Sequence, residues 1–113
     1  MTDDERKAIR DDFRAVVNMS PAELERWLDT DRLVRGVGWT RDNADESIGH
    51  RSGRRIVALK RTTVGDLDDD DYAHMRKVTG YVHRHLAQRP SGDVSDTRWR
   101  YSLMNWGHDP LKG

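Results

Sequence analysis

Ile9 is followed at four, seven and eight residues by Phe13, Val16 and Val17, a spacing that places all four on one face of a helix. Ahead of them Thr2 and, three residues on, Glu5 form the pair of a capping box, and Asn18-Met19 interrupts the pattern. An acidic N-terminal helix within residues 1–18 is therefore expected. Ser20-Pro21-Ala22-Glu23 gives a second start signal, with a serine cap, a proline where no N–H is needed and a glutamate at the third helical position. Leu24, Trp27 and Leu28 follow on one face, and the helix should close near Thr30.

Residues 32–46 hold Gly36, Gly38, Asn43 and several aspartates without periodicity, so they are expected to form a connecting loop that Trp39 pins to the core. A third helix is expected from Ser47 to about Arg61. On its wheel Ile48, Gly49, Ser52, Gly53, Ile56, Val57 and Leu59 spread over one half, while Arg51, Arg54, Ala58 and Arg61 occupy the other. Each glycine costs roughly 1 kcal/mol of helix propensity, and its place on the apolar half signals a close helix crossing.

Leu67 and Asp68 open a fourth helix. The aspartates of residues 68–71 stack on the positive end of its dipole, and Tyr72, Met75, Val78, Val82 and Leu86 repeat at three to four residues until Arg89-Pro90 stops it. After the Ser91-Gly92 turn, Asp93 or Ser95 is expected to cap a fifth helix that carries Trp99, Leu103 and Trp106 on one side and ends at Gly107. Strand-like alternation and internal repeats are absent from the sequence. The fold class predicted is all-α: a compact single-domain bundle of about five helices over residues 1–113, with residues 47–106 as its basic and aromatic part.

Composition narrows the chemistry. A chain of 113 residues suits one core, and its four tryptophans supply large apolar surfaces to a sequence lean in aliphatic residues. The absence of cysteine excludes disulfides, thiolate zinc sites, iron–sulfur clusters and thiol nucleophiles. The longest apolar run is the four residues 56–59, far short of the roughly 20 that span a bilayer, and the MTDDERK start is not signal-like. A soluble cytoplasmic protein with no membrane association is expected.

Twenty Lys and Arg balance twenty Asp and Glu, but the charges are segregated. Residues 1–31 carry five basic side chains against nine acidic ones, whereas residues 32–61 carry eight against three. A basic face on a neutral protein bears on partners rather than on fold.

Residues 72–108 hold four of the five histidines and five of the eight aromatic residues, which invites a search for a site. His83 and His85 are two apart and diverge by about 200° on a helix. His74 and His85 share a side but stand three turns apart, so no metal site is expected. A calcium loop starting at Asp66 would need glycine sixth and glutamate twelfth, where the chain has Asp71 and Lys77. Ser52 lies in HRSGRR, which lacks the nucleophile elbow, and its place beside Gly53 on the apolar face fits small-residue packing. No catalytic residue, metal or cofactor is expected, and the chain is read as not an enzyme.

The basic residues form a more substantial pattern. Arg51, Arg54 and Arg61, with Arg55 at the edge, project from a third helix that has no acid between Ser47 and Gly65, and Lys77 and Arg84 lie opposite Val82 and Met75 on the fourth, with Tyr81 adjoining. Arg51, Arg54, Arg55, Arg61, Lys77, Tyr81 and Arg84 are thus the candidate nucleic-acid-binding residues, since guanidinium groups grip phosphates bidentately. Alternatively the arginines pair with the acidic first helix and the 68–71 run while their stems cover apolar surface. The TTVGDL connection is too long for a helix-turn-helix. Trp99, Tyr101 and Trp106 are expected in the core.

The blocks MSPAELERWL, SIGHRSGRRIVALK, DDDYAHMRKVTGYVHRHLAQRP and DTRWRYSLMNWGHDP together resemble the domain of unknown function 3140 family, small proteins of bacteria and fungi. The resemblance runs from about Val16 to Pro110. It departs from the family pattern in residues 40–46 and at Thr79, where an aliphatic residue is usual. Some members carry a DNA-binding label, so the resemblance implies nucleic acid as a partner; it implies no catalytic residues. Together these readings give a non-enzymatic helical protein that binds DNA or RNA through a basic face. The alternative is a protein-interaction or stress-related accessory module that meets a protein partner or a second copy of itself.

Overall fold

The computed structural model describes residues 1–30 and 48–112, with the side chains of Thr30, Ile48, Gly49 and His50 left aside. The expected loop of residues 32–46, Trp39 within it and Ser47 lie outside the described residues. Among the described residues five α-helices follow in order, α1 (Asp3–Val16), α2 (Pro21–Thr30), α3 (Ile48–Arg61), α4 (Asp69–Leu86) and α5 (Arg98–Asn105), with a 3-10 turn at Val64–Asp66 leading into α4. No strand occurs among the described residues. The all-α bundle expected from the periodicity is the fold observed.

Three helices open with the same reciprocal device. Thr2 Oγ1 accepts from the Glu5 amide at 3.1 Å while Glu5 Oε1 accepts from the Thr2 amide. Ser20 and Glu23 repeat this at the start of α2, and Asp68 and Asp71 at the start of α4. Each box satisfies two of the amides that a helix start leaves without partners. Two of the four consecutive aspartates are thereby accounted for, and Asp69 pairs with Arg6 at 2.9 Å.

The start of α5 differs from expectation. Its cap is Thr97, whose Oγ1 accepts from the Arg100 amide, rather than Asp93 or Ser95. Val94 is fully buried, and the Thr97 amide turns back to the Val94 carbonyl at 3.2 Å, so the chain completes a turn around this anchor before a helix begins. Asp93 caps that turn instead, accepting from the Ser95 amide at 2.9 Å. At the other end Gly107 has φ +81°, with its amide bonded to Met104 O and the His108 amide to Leu103 O, the paired bonds of a Schellman motif.

Helix α1 packs along α4 and α2 along α3, and α5 lies against α2, α3 and α4. Their apolar faces meet in one core where Leu24, Ile56, Val78, Val82 and Leu103 are fully buried. Gly53 permits the close approach of α3 to both neighbours, because a Cβ there would stand 2.6 Å from Asn105 O and 2.9 Å from Leu28 Cδ2. Asn105, itself buried, accepts from Trp27 Nε1 at 2.9 Å through Oδ1, so its side-chain oxygen is satisfied.

The turn from α1 to α2 is held from two sides. Lys60 Nζ donates to Val17 O and Met19 O, while His108 Nδ1 lies 2.7 Å from Val16 O. Asn18 and Asp109 exchange side-chain-to-backbone hydrogen bonds in both directions. Among the described residues no helix is long and apolar enough to cross a membrane.

Candidate functional site

Helices α3 and α4 are not among the closely packed pairs, and an open cleft of about 260 Å³ lies between them. Arg51 and Arg55 stand four residues apart on one edge of α3, with Ser52 turned further inward. His74 and Lys77, three apart, face them from α4, and Trp106 supplies the floor from the end of α5. The helical repeat brings i, i+3 and i, i+4 side chains to one face, so two short motifs line one concavity.

Ser52 Oγ lies 3.2 Å from His74 Nε2 across this gap. The His74 ring stacks on Trp106 at 6.3 Å between centroids, Trp106 on Tyr81 at 4.1 Å, and Tyr81 on His85 at 5.1 Å, with interplanar angles of 14–17°. Burial pushes His74 down to about 4, reinforced by the Arg55 and Lys77 cations and opposed by Asp71, so its imidazole is neutral at pH 7. Burial likewise raises the Tyr81 phenol, against a hydrogen bond from Ser102 and the nearby Arg84 charge.

A serine bonded to a neutral imidazole is the first half of a nucleophilic triad. Here Ser52 is only 5% exposed, and no carboxylate hydrogen-bonds to His74 among the described residues. The pair serves as a fixed, neutral polar group in the wall of a cationic cleft. Its charge comes from Arg51, Arg55 and Lys77, of which Arg55 leans toward Asp71 at 3.5 Å. Among the described residues neither Arg51 nor Lys77 has an ion-pair partner.

The remaining candidates do not join this cluster. Arg61 forms an ion pair with Glu25 of α2, and Arg54 borders a separate groove with Glu25, Leu28 and Asp29. The single stripe along α3 is therefore split, since the 100° step from Arg54 to Arg55 carries one toward α2 and the other toward α4. Arg84 is exposed, and its guanidinium lies back along α4 beside Gly80. Tyr81 is half-buried in the ring stack rather than projecting outward, because Trp106 and His85 offer their faces to it.

The histidines scatter as the spacing requires. His83 is exposed, His85 stacks on Tyr81 and His108 serves the α1–α2 turn; among the described residues no group of His, Asp or Glu could hold a metal ion. The contact of Ser52 with His74 and the role of Trp106 as a floor were not legible from spacing. Ser52 on an apolar helix face was the one available signal, and residues 52 and 74 belong to helices whose relative placement a linear pattern does not encode.

Comparison with known proteins gives a family and nothing more specific. The family model described as protein of unknown function (DUF3140) matches residues 12–104. No curated protein and no solved structure matches the chain.

Proposed function

The chain belongs to the DUF3140 family of proteins of unknown function, and for this member we propose a non-enzymatic role in binding phosphate groups of DNA or RNA at the cleft between α3 and α4. The convergence of Arg51, Arg55 and Lys77 on one concave site carries this reading. Like charges repel when crowded, so the cluster costs stability unless a counter-charge fills it, and Asp71 offsets one of the three. The test is a salt titration of DNA binding. Each phosphate neutralised contributes a slope of about 0.9 in log affinity against log salt, so a strand held through this one cationic cleft predicts a slope of about 1 or more. No binding at ~50 mM salt contradicts the reading.

A protein-interaction or accessory module is favoured by a different feature. A shallow groove of about 430 Å³ runs between Glu5, Ala8 and Asp12 on α1 and Arg76, Thr79 and Gly80 on α4. Arg76 of the α4 wall stands 4.0 Å from Glu5 of the α1 wall, with Asp12 beside them, a set of charges that a helix of a partner or a second copy would meet by exchanging this pair. Light scattering across concentration distinguishes this reading, for which a strict monomer that retains DNA binding is the contrary result.

A further inference from the structure

Resting on the phosphate-binding reading just given, we infer that the α3–α4 cleft selects a phosphate monoester, the end group of a nucleic-acid strand or of a nucleotide, over the phosphodiester links inside a strand. Charge balance is the first ground. Arg51, Arg55 and Lys77 bring three positive charges to the cleft and Asp71 removes one, which leaves a net charge of two. A monoester carries about −1.5 to −2 at neutral pH, close to that sum, whereas a diester carries only one negative charge.

Acceptor count agrees. A monoester presents three terminal oxygens that accept strong hydrogen bonds, one for each of the three cationic groups. A diester presents two, enough for Arg51 and Lys77, and leaves Arg55 with Asp71 alone. The neutral Ser52–His74 pair adds polar contacts to the wall without adding charge, since His74 stays unprotonated at pH 7.

Shape is the third ground. The cations line a notch between two helices and above Trp106; they do not ride on a ridge that could enter a groove of a duplex. An internal phosphate would have to bring a sugar on both sides into this notch. A terminal phosphate brings one. Arg54 and Arg61, which would have continued a track for a longer backbone, border the α2 side instead, where Arg61 is paired with Glu25.

The experiment compares one single-stranded oligonucleotide in two forms, 5′-phosphate and 5′-hydroxyl, by fluorescence anisotropy at ~50 mM salt, with a nucleoside 5′-monophosphate as competitor. The phosphorylated strand should bind roughly tenfold or more tightly. That advantage should shrink to about twofold or less in the double variant Arg51→Gln, Lys77→Gln. Both residues are exposed, and circular dichroism verifies that the variant keeps its helices. Competition by the monophosphate at the affinity of the full strand identifies a nucleotide as the ligand; much weaker competition identifies a strand end. Either supports monoester selectivity. Equal binding of the two strands overturns the selectivity and leaves phosphate binding standing, whereas no binding of either strand or of the monophosphate removes both.

Discussion

Ser52 and His74 meet across the gap between α3 and α4, with Oγ and Nε2 3.2 Å apart, and so join two helices whose backbones do not pack closely. The burial that accompanies this contact, with the Arg55 and Lys77 charges nearby, disfavours the charged form of the histidine.

A pH dependence of stability follows. An unfolded histidine titrates near its ordinary value of 6.5, whereas in the fold His74 is pushed down to about 4. Between these values the unfolded chain takes up a proton that the native protein refuses, so stability falls as pH drops through this window and the loss levels off below it. With solvent screening at a half-buried ring the loss is about 1–2 kcal/mol. His85, lowered by burial, acts with the same sign. Urea unfolding at about pH 7.5 and pH 4.5 should show a smaller pH difference in His74→Gln than in the unaltered protein; an identical difference contradicts the assignment.

Arg100 grips Asp109 through two parallel contacts of 3.1 Å, from Nε to Oδ1 and from Nη2 to Oδ2, and its Nη1 donates to Ser95 O. Burial pushes the Asp109 carboxyl up, but the Arg100 guanidinium and the Leu111 amide outweigh it, so the pKa is held below the usual carboxylate value. Stability from this pair is present above the ordinary value of 3.8 and is lost as pH falls through the lower folded value. Arg100→Lys keeps a charge but loses the fork, and should cost about 1–3 kcal/mol in urea unfolding at neutral pH.

Gly107 and Gly92 both adopt positive φ, +81° and +84°, yet differ in surroundings. A Cβ at Gly107 would meet Val17 Cγ1 at 2.8 Å, while nothing lies within 4 Å of one at Gly92. Gly92→Ala should therefore cost only backbone strain, about 1 kcal/mol, and Gly107→Ala strain plus a clash in the core, about 2–4 kcal/mol. Thermal unfolding of the two variants checks the ranking, which equal losses would contradict.

These examples also mark what the chain discloses before it folds. The helix-start signals at Thr2 and Ser20, the apolar faces of α1 and α4 and the inward turn of Trp99, Leu103 and Trp106 follow from local spacing, since each depends on neighbours three or four residues away, whereas the aspartates of residues 68–71 read in sequence only as dipole partners and prove to include a capping box. Gly53 was legible as a crossing point for the same reason. The Thr97 cap was not, because burial of Val94 displaces the helix start and that burial is tertiary. The conspicuous WGHDP segment resolves into a clamp on the α1–α2 turn through residues some 90 positions away. Likewise, the basic stripe could be seen but its division between the α2 and α4 sides could not.

That division separates the arginines by function. Lys77→Gln removes a cation from the cleft and should weaken DNA binding about three- to tenfold while making the salt dependence shallower. Arg61→Gln removes the partner of Glu25 on the other side and should change affinity by less than about twofold. Anisotropy titrations at several salt concentrations check both; equal losses would return Arg61 to the binding face.

The most direct measurement is a nuclear magnetic resonance titration of the isotopically labelled protein with a short 5′-phosphorylated single strand. The account predicts shifts concentrated at Ser52, His74, Lys77 and the indole N–H of Trp106, with the His74 ring pKa moving upward as an anion enters beside it. Shifts confined to Glu5, Asp12 and Arg76 in the α1–α4 groove, or no shifts at any saturating concentration, would contradict it.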